Sequence, residues 1–128
     1  MKYLVMFLAL APVAALAQSP QDASAAEARA VQSIVECMVP GLPENWRRAV
    51  MVVALAKPGD ETGAVKYLVQ RGDSEEELEP FMPCDAKKPA RTLIEARRLQ
   101  LPRRRGWTGA RLSILPDGKF ALKYDYPQ

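Results

Sequence analysis

"WRRAVMVVALAKPGDETGAVKYLVQ", residues 46–70, decides how this chain folds. From Ala49 to Ala56 it is unbroken apolar sequence rich in valine. The run is short, and β-branched side chains favour the extended backbone, so it reads as a strand buried on both faces or nearly so. Lys57–Gly63 then concentrates proline, glycine and aspartate, which favour turns. Ala64–Gln70 alternates, with Val65, Tyr67 and Val69 on one side and Lys66 and Gln70 on the other. Strand, turn and strand make a first hairpin.

Upstream, a short polar leader, Gln18–Ala23, precedes a helix. Ser24 and Glu27 stand in capping-box spacing, and Ala28, Val31, Ile34, Val35 and Met38 recur at three- and four-residue steps along one apolar stripe. Pro40 and Gly41 stop it. Downstream, Arg71–Pro80 is a polar loop with carboxylates at Asp73, Glu75, Glu76, Glu77 and Glu79. Phe81–Cys84 returns to the core. A second helix is expected from Asp85, with Pro89 in its first turn, Ala90, Leu93, Ile94 and Leu101 inward, and Pro102 ending it.

Arg103, Arg104 and Arg105 lead into "GWTGARLSILPDGKFALKYDYP", residues 106–127. Leu112 and Ile114 share a face; Pro116-Asp117-Gly118 is a turn in which Gly118 can take positive φ. On the return, Phe120, Leu122, Tyr124 and Tyr126 share a face opposite Ala121, Lys123 and Asp125. This is a second hairpin. The expectation is an α+β fold in two layers: an antiparallel four-stranded sheet with two helices on one face, in the order αββαββ, as a single domain over residues 18–128.

The first seventeen residues read as a secretory signal: Lys2, an apolar run Leu4–Leu10, and Ala15-Leu16-Ala17 before a cleavage site after Ala17. The run is shorter than the roughly 20 residues of a spanning helix, and Pro12 interrupts it, so no stable membrane insertion is expected. The expected location is the periplasm. Loss of Lys2 lowers the formal net charge of +3 by one, too mild a balance to imply nucleic acid. The two cysteines, Cys37 and Cys84, would meet an oxidising space, where a disulfide is the default.

With no histidine in the chain, the usual general base and the commonest metal ligand are missing. No catalytic role, cofactor or metal is expected. Lys87, Lys88, Arg91, Arg97 and Arg98, with Arg103–Arg105, make the second helix and its exit basic, a solvated face expected to pair with the acidic loop. Trp46 and Trp107 stand at strand entries and read as packing residues.

Two blocks carry a resemblance. "LPENWRRAVMVVALAKPGDETGAVKYLV", residues 42–69, looks like the opening of the YezG-like bacterial immunity proteins: an amphipathic helix, then Pro-Glu-x-Trp, then a hairpin. Residues 106–127 resemble their ending, through Trp107-Thr108, an alternating strand, Asp117-Gly118-Lys119-Phe120 and the close at Tyr124 and Tyr126. The resemblance implies neutralisation of a toxin by direct binding and offers no catalytic residues. The signal and the cysteine pair depart from the family pattern, and export points to a toxin acting in the envelope.

The functional expectation is a periplasmic immunity protein, monomeric or homodimeric, that occludes the active site of a cognate toxin encoded beside it. Candidate toxin-binding residues are Asp73, Glu75, Glu76, Glu77 and Glu79, and Arg103, Arg104 and Arg105. The alternative is an envelope inhibitor of lysozyme or another peptidoglycan hydrolase of host or phage origin, bound through the acidic loop. A third class is a small envelope enzyme using carboxylates.

Overall fold

The computed structural model describes residues 20–72 and 77–128, with side chains from residue 25 onward; the signal read at residues 1–17, and Asp73, Glu75 and Glu76, lie outside the described residues. Among the described residues the fold is α+β. It has helices α1 (Pro20–Met38) and α2 (Lys88–Ala96) and an antiparallel sheet of β1 (Trp46–Ala54), β2 (Ala64–Arg71), β3 (Glu79–Pro80), β4 (Gly109–Ile114) and β5 (Phe120–Asp125). The strands lie in the order β3-β2-β1-β4-β5, so the valine-rich strand is central and joins the two hairpins.

Four strands were expected and five are present. The extra one is a two-residue edge strand inside the acidic stretch, with Pro80 opposite Leu68 and Glu79 opposite Val69. Proline donates no ladder hydrogen bond and is tolerated at a sheet edge. A segment this short and polar carries no alternation to read. The element order is therefore αβββαββ.

Alternation along β1 divides the sheet into two faces. Ala49, Met51 and Val53 form one core with Val31, Ile34 and Met38 of α1, Ala90, Leu93 and Ile94 of α2, and Ala110, Leu112 and Ile114 of β4. Both helices thus cover the same face. Arg48, Val50 and Val52 point the other way. Arg47 is the extra residue of a bulge, where the register with β2 shifts between Trp46 and Arg48.

Both helices differ from their expected bounds. Among the described residues α1 runs from Pro20, so Pro20–Ala23 are helical and Ser24 lies inside the helix, not at its cap. α2 is shorter than expected: it ends at Ala96, and Arg97–Leu99 tighten into a 3-10 turn. Leu101 has extended backbone (φ −61°, ψ 144°), as the clash with Pro102 requires, and it is only half-buried beyond the helix.

Candidate interaction surface

The disulfide expected between Cys37 and Cys84 is present, with Cα atoms 4.9 Å apart. It ties the end of α1 to the segment entering α2, and the Cys84 amide donates to the Cys37 carbonyl at 2.7 Å. Gly41 completes this junction. A Cβ there would overlap the Met82 carbonyl, so only glycine lets the two backbones approach. Asp85 holds the entry to α2, its Oδ1 accepting from the Lys87 and Lys88 amides at 2.8 and 2.9 Å. Those bonds hold its carboxyl below the usual range. The Tyr67 hydroxyl donates to the Ala86 carbonyl at 2.7 Å. Burial, helped by the negative charge of Asp85, pushes the Tyr67 phenol up to about 12.

At the opposite end of the sheet, a polar cluster locks α1 to the second hairpin. Glu27 accepts from the Tyr124 hydroxyl at 2.7 Å and from Gln100 Nε2 at 3.4 Å. Gln100, itself buried, accepts from Trp107 Nε1 at 3.0 Å. Trp107 is fully buried, with the Tyr124 ring 5.1 Å away and the Arg97 guanidinium 5.8 Å from its ring centre. Burial and the bond to Glu27 push the Tyr124 phenol well above its ordinary value. The expected packing role of Trp107 holds.

The charged segments singled out in the sequence occupy diagonal corners. Gly72, Glu77 and Glu79 flank the acidic loop at the end where β1 begins. Glu77 and Glu79 are exposed, and Glu79 pairs with Arg71 at 3.3 Å. Arg103–Arg105 lead into β4 at the end where β1 finishes. Arg103 and Arg104 are exposed, while Arg105 Nε donates to the Gln100 carbonyl at 2.7 Å and the Arg104 carbonyl accepts from the Tyr126 hydroxyl at 3.0 Å. Among the described residues, Glu77 and Glu79 stand at one end of the sheet and Arg103–Arg105 at the other, so these acidic and basic residues do not pair.

The face of the sheet away from the helices has no element of the described residues packed on it, and it is basic. In register, Val52 lies between Lys66 of β2 and Arg111 of β4, and Arg111 lies directly opposite Lys123 of β5. These three cations are exposed. The adjacent row runs Pro80, Leu68, Val50, Ser113, Ala121 and is small or apolar. Val50, at its centre, is fully buried. Beyond it lies Arg48, whose Nε is buried with no hydrogen-bond partner among the described residues.

A groove on the other side of the molecule separates the β1–β2 turn from α2. It encloses about 480 Å³, with Val65, Ala90 and Ile94 as apolar lining and Glu61, Lys87 and Arg91 as charges. A second space of about 380 Å³ adjoins it, lined by Glu61, Arg91, Glu95, Arg97 and Arg98 among others. Opposite charges are interspersed there, whereas on the open sheet face one sign dominates.

No protein-family model matches the chain, and no curated protein matches it significantly. The reading of its surface therefore rests on its own geometry. Sequence alternation already turned Lys66 and Lys123 away from the core. It did not bring them together with Arg111, because that juxtaposition depends on β1 pairing with β4 across more than half of the described chain. Gln100 and Glu27 were also missed as a pair. A glutamine beside a leucine–proline step carries no sequence signal for burial.

Proposed function

We propose that this chain is an exported immunity protein that neutralises an antibacterial toxin by binding it and covering its active site. One observation carries the reading: a sheet sealed on one face by two helices, crosslinked through Cys37 and Cys84, and presenting the exposed cations Lys66, Arg111 and Lys123 on the other. Such a platform loses little conformational freedom on binding, which favours tight and specific association. The disulfide supports function in an oxidising compartment, in keeping with the signal-like start of the sequence. The resemblance of residues 42–69 and 106–127 to YezG-like proteins supplies the biological role.

The test is rescue. Co-expression with the protein encoded next to it, directed to the periplasm, should restore growth, and deletion of residues 2–17 should abolish the rescue. Continued killing by an exported neighbour in the presence of the exported chain would refute the proposal. A second reading follows from the exposure of Glu77 and Glu79 at the sheet edge. There the acidic segment would hold a basic lysozyme, and Glu77→Gln/Glu79→Gln would weaken inhibition of that enzyme.

A further inference from the structure

We infer that the partner docks on the open face of the sheet, and that it presents an acidic, carboxylate-rich protein surface there. This inference rests on the binding role proposed above and names the surface and the chemistry it recognises.

The arrangement is costly in the free chain. Arg111 and Lys123 are direct cross-strand partners, and like charges in that position repel. Lys66 stands one strand beyond, on the far side of Val52 in the same row. A fold needs none of these three cations here: the face is exposed, and Thr or Gln would serve as well. Carboxylates from a partner would relieve the repulsion and supply complementary charge, which gives specificity and fast association.

Among the described strand residues, this face carries one carboxylate, Asp125, opposite Gly109 at the end of the sheet. It carries no aromatic side chain: Trp46, Tyr67, Phe81 and Tyr124 all pack against the core side. A face that binds nucleic acid stacks bases on aromatic side chains, and this one has no such platform. A face that enters a membrane projects long apolar or aromatic groups, whereas this one projects Lys66, Arg111 and Lys123. These three cations grip one side of the row that holds Val50. Arg48, with a buried Nε that has no partner among the described residues, stands on the other.

The experiment measures binding of the protein encoded beside this chain by calorimetry. It compares wild type, Lys66→Gln/Arg111→Gln/Lys123→Gln, and Arg103→Gln/Arg104→Gln/Arg105→Gln. The two triple variants remove the same charge from different places, and circular dichroism melts check that each is folded. The expected result is a loss of at least 100-fold for the sheet-face variant and less than fivefold for the other. If the sheet-face triple variant unfolds, Lys123→Gln alone should still cost about tenfold. Undiminished binding by the folded sheet-face variant, or an equal loss from Arg103–Arg105, would overturn the inference and leave the immunity role standing. Absence of binding to wild type would remove that role and this inference together. Vesicles of equal phosphatidylglycerol and phosphatidylcholine serve as a second probe. If wild type binds them as tightly as the protein and loses both through the same three residues, the face reads anionic surfaces generally, and the specific inference fails.

Discussion

The two faces of one sheet are built on opposite principles. On the helix side, Met51, Leu112 and Trp107 are fully buried, and Glu27, Gln100 and Trp107 are joined in a chain of hydrogen bonds. On the open side, Arg111 and Lys123 face each other across a strand pair with like charge. The first face explains why the chain folds. The second is explained only by something the chain does. Local disagreement with folding rules is where function is to be sought.

If that division is right, substitutions on the helix side should cost stability and those on the open side should not. The largest effect is expected at Trp107→Ala, which empties a fully buried site and removes the hydrogen bond to Gln100. A loss of about 3–5 kcal/mol in chemical denaturation follows from large-to-small substitutions of this kind. Next comes Cys37→Ser, which frees the end of α1 and should cost about 2–4 kcal/mol in oxidising buffer. Reductant should bring wild type down to the level of this variant. Identical denaturation curves for the two proteins without reductant would show that the bridge contributes nothing.

Tyr124→Phe should cost about 1–2 kcal/mol, as loss of a bond to a carboxylate does. The tyrosines also set an alkaline limit. Tyr67 loses its proton near 10 when unfolded but only near 12 in the fold. Between those values the unfolded chain binds fewer protons, so stability falls as pH rises. Below pH 10 the contribution is intact. Tyr124 is shifted in the same direction, so Tyr67→Phe should shallow the decline between pH 10 and 12 without removing it. Denaturation midpoints measured across that range would check this, and unchanged slopes would contradict it.

How far the sequence carried depended on range. Hairpin alternation placed Tyr67, Val69, Leu112 and Ile114 inside, and Gly118 takes the positive φ, +92°, that its turn suggested. The two cysteines pair with each other, as expected. Two things were not legible. Glu79–Pro80 pair with β2 only because the neighbouring ladder offers an edge. The basic face exists only because β4 docks on β1, and no local pattern encodes that choice. For the same reason the sequence did not show that Glu77 and Glu79 would stand at the opposite end of the sheet from Arg103–Arg105.

The smallest effect on stability is the most informative, because it has the opposite sign. Lys123→Glu turns the repulsive pair with Arg111 into an attractive one, a gain of a few tenths to about 1 kcal/mol. The same change places a carboxylate on the face that receives an acidic partner. Melting temperature and affinity for the neighbouring gene's product should therefore be measured on this one variant. A higher melting temperature together with at least tenfold weaker binding is the predicted result; a lower melting temperature with undiminished binding would contradict the division of the sheet into a folding face and a binding face.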